Sequence, residues 1–216
     1  MPNLKASLLI VDDDHAITTT LSHIFRGFGH QVRTADNGLS ALQQIRTQVP
    51  NILLSDLNMP RMSGFELLSI VRRRLPEVFV IAYSAAFSGE EVPTGIAADA
   101  FHEKSTGLKR LFELVKTATH KGHVRSGSAA STPIWISRPN DENSPFEQLP
   151  ITCPECMRAF SPSVGTCNFV IKEADCVYCH ATIRYGVVPF MKTAVSRPSD
   201  GGWMVSSASV VDESCV

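Results

Sequence analysis

Five short apolar runs, each followed by a stretch of helical period, fill residues 7 to 121 and leave few folds open to this part of the chain. The runs are "SLLIV", "QVRTA", "NILLSD", "VFVIAYS" and "ADAFHE". Between and after them, apolar residues recur at helical spacing: Ile17, Leu21, Ile24 and Phe28; Leu42, Ile45 and Val49; Leu68, Val71 and Leu75; Leu108, Leu111, Phe112 and Val115. Strands this apolar are buried on both faces, and strands joined by helices run parallel with right-handed crossovers. The expectation is an α/β domain, a doubly wound five-stranded parallel sheet with helices on both sides. The fourth helix should be short or irregular, because "SGEEVPTGIAADA" carries Pro93 and Gly95.

In such a sheet functional groups gather at the carboxyl edge of the strands. The first run ends in Asp12, Asp13 and Asp14, the third in Asp56 and the fourth in Ser84, while the fifth delivers Lys104. Taken singly, each has an ordinary structural role: Asp14 before "HAITTTL" suits a helix N-cap, Ser84 can end a strand and Lys104 can be a solvated charge. Taken together, carboxylates, a hydroxyl and an ammonium on one rim make a site where like charges repel without a cation. Few and close carboxylates suit Mg²⁺. A carboxylate beside that cation can act as a nucleophile towards phosphorus, with the lysine offsetting charge on the phosphoryl oxygens.

The motifs "LLIVDDD", "LLSDLNMPRMSGFELL", "VIAYSAA" and "FHEKS" fall at these strand ends, and on them residues 7 to 120 resemble a response-regulator receiver domain of two-component signalling. The resemblance implies a flavodoxin-like fold and a site in which Asp56 accepts a phosphoryl group. Mg²⁺ would be held by Asp13 and Asp56, by Asp12 through a water and by the backbone carbonyl of Asn58. Ser84 and Lys104 would contact phosphoryl oxygens, and Phe101 stands where an aromatic residue turns inward on activation. The partner it implies is a sensor histidine kinase or phosphotransfer protein. One departure is Ser105, where the family usually has a proline after the lysine.

Residues 122 to 149 change character, with Gly, Ser, Thr, Pro and Asn dominating, and read as a linker in which Trp135 is the one candidate for docking on a neighbour. Residues 150 to 191 hold "TCPECMRAF" and "DCVYCHATI", and residues 192 to 216 read as a tail. Cys153 and Cys156, then nineteen residues, then Cys176 and Cys179 have the spacing of a tetrahedral zinc site. A segment this short lacks core enough to fold alone, and Zn²⁺ would supply the missing stability. The pattern resembles a zinc ribbon with "NFVIK" and "IRYGVV" as strands, although the glycine frequent after the second cysteine of each pair is replaced by Met157 and His180. The run Cys-Val-Tyr-Cys-His also spells a c-type haem attachment, which would need export, an apolar pocket and a second axial ligand such as Met191 or Met204. Rubredoxin-type iron fits the same four thiolates, and a redox dithiol pair is a further reading. Cys167 reads as a small core residue.

With 216 residues, 44% hydrophobic and a formal charge of -1, the chain has the composition of a globular protein. No stretch approaches the roughly 20 apolar residues of a membrane span, and a cytoplasmic location with no membrane partner is expected. The Cys segment balances Arg158, Lys172 and Arg184 against Glu155, Glu173 and Asp175, without the basic stripe of a nucleic-acid binder. Arg72 to Arg74 read as a solvated helix end. The first functional reading is a response regulator that passes its phosphorylation state to a protein effector. A DNA-binding transcription regulator acting through the zinc module, and a redox or metal sensor using the cysteines, are the alternatives. No nucleophile, base and orienter set points to a separate enzymatic output.

Overall fold

The computed structural model describes residues 5–85, 96–121, 132–137, 149–162 and 168–188. Strands β1 (Ser7–Val11), β2 (Gln31–Ala35), β3 (Ile52–Asp56), β4 (Phe79–Ser84) and β5 (Ala100–Glu103) form one sheet in the order β2-β1-β3-β4-β5, with every pairing parallel. Helices α1 (His15–Gly27), α2 (Gly38–Thr47), α3 (Gly64–Arg74) and α4 (Leu108–Lys121) follow the strands. Alternation along β1 sorts the two layers. Leu8 and Ile10 pack with Leu21 and Phe25 of α1 and Leu111 and Val115 of α4. Leu9 and Val11 pack on the other side with Ala41 and Leu42 of α2 and Leu68 and Val71 of α3. The expected doubly wound sheet is therefore present. The segment expected to hold an irregular fourth helix lies mostly outside the described residues, as do Cys167, Met191, Met204 and the tail.

Polar side chains start three helices. Asp14 accepts from the Ala16 N–H at 2.8 Å, Asn37 from the Ser40 N–H at 2.9 Å and Ser63 from the Glu66 N–H at 3.4 Å. The buried stripe of α1 is Thr18, Leu21, Ser22 and Phe25, which shares only Leu21 with the apolar residues expected, and Phe28 is 52% exposed. Two hydroxyls can sit in that stripe because each donates to a carbonyl three residues back: Thr18 to His15 and Ser22 to Thr19. Phe28 instead packs against α4, its ring 5.2 Å from that of Phe112. Val49 lies beyond the end of α2 and is exposed.

The C-terminal part forms two small sheets. Strand β6 (Ile134–Ser137) pairs parallel with β10 (Thr182–Val188), which pairs antiparallel with β9 (Lys172–Asp175); β7 (Ile151–Thr152) and β8 (Ala159–Phe160) make a second antiparallel pair. Two expectations are corrected here. The stretch read as a linker carries a strand, because β6 finds its partner about fifty residues later in β10, where Gly186 leaves room for the Trp135 ring: a Cβ there would lie 2.4 Å from Trp135 Cζ3. The strand expected at "NFVIK" begins only at Lys172, and Phe169, Val170 and Ile171 are exposed. Its register with β10, Asp175 opposite Thr182, is set from the tight turn at Cys176 to Ala181 outward.

Helix α3 is buried on both sides, from Gly64 through Arg72. One side meets the sheet, and β6 covers the other. Ile134, Ile136, Ile151, Tyr185 and Val187 continue the α2–α3 core without a break. The Arg72–Arg74 run, expected in solvent, is engaged instead: Arg72 pairs with Asp99 within the receiver, Arg73 pairs with Glu155, and Arg74 donates to the carbonyls of Pro154 and Glu155.

Candidate functional site

Four of the five strands of the parallel sheet deliver a site residue at the carboxyl edge. Asp12 follows β1, Asp56 closes β3, Ser84 closes β4, and Lys104 follows β5. Asp12, Asp56 and Ser84 are nearly fully buried, and Asp13 is exposed. Carboxylate oxygens of Asp12, Asp13 and Asp56 lie within 4.8 Å of one another. Lys104 Nζ bridges two of them, 2.8 Å from Asp12 and 3.0 Å from Asp56. Backbone N–H groups hold the other oxygens in place: Leu57 donates to Asp56 at 2.7 Å, and Asp14 to Asp12 at 2.9 Å.

Two buried carboxylates and one ammonium leave excess negative charge. Burial pushes the Asp56 carboxyl up to about 6; Lys104 opposes the rise and Asp12 adds to it. Burial works against the Lys104 ammonium, yet Asp56 and Asp12 outweigh it and hold the lysine above its ordinary value. A small divalent cation that takes one or two carboxylates and keeps its waters fits this donor set, with exposed Asp13 on the open side. Asn58 is half-buried in the loop after β3, and Phe101 is buried on β5 opposite Ala82. The described residues contain no cis peptide bond, and Ser105 lies in a 3-10 turn from Lys104 to Thr106.

Two neighbours of the site escaped sequence reasoning. Tyr83 and His102 stack with ring centroids 5.5 Å apart and planes at 6°, and Lys104 Nζ lies 5.0 Å from the Tyr83 centroid. His102 is buried, and burial lowers its pKa. Both rings project on the α1–α4 side of the sheet, and only the register Tyr83 opposite His102 brings them together.

The four sequence-predicted cysteines also converge. Cys153 Sγ is 3.6 Å from Cys179 Sγ, and Cys156 Sγ is 3.7 Å from Cys176 Sγ. The two turns that present them are built alike. The Met157 N–H donates to Cys153 O at 2.9 Å and the His180 N–H to Cys176 O at 2.8 Å; the Cys153 and Cys176 N–H groups donate to Arg158 O and Ala181 O, both at 2.9 Å. Met157 (φ 60) and His180 (φ 59) adopt the left-handed conformation that glycine takes most easily, so the missing glycines change the cost of the turns and not their shape. His180 is exposed. Burial pushes the Cys153 thiol up to about 12. Burial also acts against ionisation of Cys176, but backbone donors at Tyr178 and Cys179 outweigh it and bring that thiol down to about 7.

Residues 8–116 match the family model described as "Response regulator receiver domain", which spans half of the chain. The chain belongs to this family. Among curated proteins, the transcriptional regulatory protein ZraR of Klebsiella oxytoca is 33% identical over 102 residues, 46% of this chain and 23% of ZraR. The response regulator protein FleR of Pseudomonas aeruginosa is 31% identical over 136 residues, 62% of this chain and 28% of FleR. This chain thus spans about a quarter of the length of these relatives. Among solved structures, the receiver domain of the Francisella response regulator 1452 aligns over 53% of this chain and 97% of that one, at 27% identity and a TM-score of 0.50. The receiver domain of this chain accordingly has the flavodoxin-like fold.

Proposed function

We propose that Asp56 is the phosphoacceptor of a response regulator and that a sensor histidine kinase or phosphotransfer protein is its donor. The observation that carries this reading is Lys104 bridging Asp12 and Asp56 at the carboxyl edge. An Asp56 oxygen forms a bond to phosphorus as the P–N bond to the donor imidazole breaks; the imidazole nitrogen keeps the electron pair and takes a proton. Lys104, already poised at Asp56, and Ser84 would meet two of the phosphoryl oxygens. Asp13, Asp56 and the Asn58 carbonyl would hold Mg²⁺, with Asp12 acting through a water, and the ion would supply positive charge to the transferring group. Phe101 is the aromatic residue whose packing would report the phosphorylated state. Slow hydrolysis of the acyl phosphate on Asp56 ends the signal.

The four thiolates of Cys153, Cys156, Cys176 and Cys179 are proposed to hold one Zn²⁺, in a zinc-ribbon-like module at 150–191 that recruits Ile134–Ser137 from the connecting stretch. Their convergence on two like turns supports a closed tetrahedral site better than a haem anchor, which needs only one pair. The signal passes to a protein effector, and the location is cytoplasmic. No helix among the described residues is long and apolar enough to cross a membrane.

The test is phosphorylation by acetyl phosphate or a donor kinase in Mg²⁺, read on a phosphate-affinity gel. The wild-type chain should be modified and Asp56→Ala should not; equal modification of the two would sink the site assignment. Purified protein should carry about one zinc per chain, lost in a Cys153→Ser, Cys176→Ser double variant.

A further inference from the structure

The face of α3 that points away from the sheet carries polar side chains that bond to the C-terminal part. Glu66 accepts the Thr152 N–H at 2.6 Å, and Ser69 Oγ accepts the Trp135 N–H at 3.0 Å. Arg73 pairs with Glu155 at 3.1 Å, and Arg74 donates to the carbonyls of Pro154 and Glu155, the two residues between Cys153 and Cys156. The thiolate turn is therefore gripped at its backbone by α3, and Thr152, bonded to Glu66, is the neighbour of Cys153.

The other end of the same helix rests on the phosphoacceptor. Gly64, two residues before Glu66, donates its N–H to Leu57 O at 3.0 Å, and a Cβ at Gly64 would lie 1.9 Å from the Asp56 carbonyl oxygen. No slack exists at that contact. From Cys153 to Asp56 the chain of contacts is one peptide to Thr152, one hydrogen bond to Glu66, half a helical turn to Gly64, and van der Waals contact with the Asp56 backbone.

We propose that α3 links the thiolate cluster to Asp56, so that the chain reads two inputs, a soft divalent metal at the cysteines and a phosphoryl group at the receiver site. This rests on the reading that the four thiolates bind zinc. A metal-free module of this size loses the turns that Arg74 and Glu66 hold, and the polar face of α3 returns to solvent. With the metal bound, the first turn of α3 and the loop from Leu57 to Ser63 are ordered before any phosphoryl group arrives. Binding at Asp56 then costs less ordering.

Two affinities measured on the full chain test this. Beryllofluoride with Mg²⁺, the phosphoryl mimic, is titrated by calorimetry into zinc-loaded chain and into chain stripped with a zinc-selective chelator, with zinc content measured separately. Zinc-loaded chain should bind the mimic about tenfold more tightly, within the usual range of coupling between sites, and the mimic should tighten zinc by the same factor. Glu66→Ala should keep its zinc and bring the two mimic affinities together. If that variant loses zinc, Arg74→Ala, which leaves the Glu66 contact intact, should narrow the gap in the same way. A chain that holds one zinc yet binds the mimic equally with and without it overturns the linkage while leaving the zinc site standing. A chain that takes up no zinc removes both.

Discussion

At the scale of single residues, the site is a balance of charges that burial makes expensive. Asp56 is pushed up to about 6 by burial and by Asp12, and Lys104 offsets only part of that. A carboxyl whose folded pKa lies above its unfolded value binds its proton more tightly in the folded state. Stability therefore falls as pH rises from the ordinary aspartate range through about 6, and at pH 8 the ionised Asp56 costs on the order of 3 kcal/mol. In Mg²⁺-free buffer Asp56→Asn should be more stable than wild type by about that amount at pH 8, with the difference vanishing near pH 4. Denaturant midpoints at the two pH values check this, and a difference that did not change with pH would contradict it. The acids, the hydroxyl and the lysine of this site could be read from sequence because each follows an apolar run. Tyr83 and His102 could not, since their stacking depends on strand register.

At the scale of elements, α3 carries the most information. Its apolar stripe was legible, and it predicts a helix with one buried side. Burial of Glu66 and Ser69 on the opposite side was not legible, because polar residues on a helix normally face water and their partners lie eighty-six and sixty-six residues away. Gly64 ties this element to the site. Gly64→Ala should cost about 3 kcal/mol, the upper range for overpacking against backbone that cannot move aside. It should also slow phosphorylation of Asp56, measured in the same acetyl phosphate assay. An alanine variant of wild-type stability and rate would show that the loop after β3 has room the structure does not contain.

At the scale of the whole molecule, the receiver and the cysteine module share one core. Ile134, Ile136 and Ile151 join Leu68, Ile70 and Val71 in a single apolar cluster. Zinc-loaded protein should therefore unfold in one calorimetric transition, and removal of zinc should lower its midpoint and expose α3 to amide exchange. Two separated transitions in loaded protein would mean that the contact contributes little. The connecting stretch, read from sequence as a linker with Trp135 as its docking candidate, reaches this core through "IWI", which finds a parallel partner in β10.

The sequence by itself determined the parallel sheet, the residues at its carboxyl edge and the four cysteines, because hydrophobic period and local spacing encode which residues end a strand or share a turn. Only the tertiary structure decided that β6 is a strand, that the arginines of α3 hold the cysteine turn, and that Tyr83 meets His102. Each of these contacts joins residues far apart in the chain, and no local pattern of hydrophobicity or charge specifies which distant backbone will arrive to satisfy a polar group.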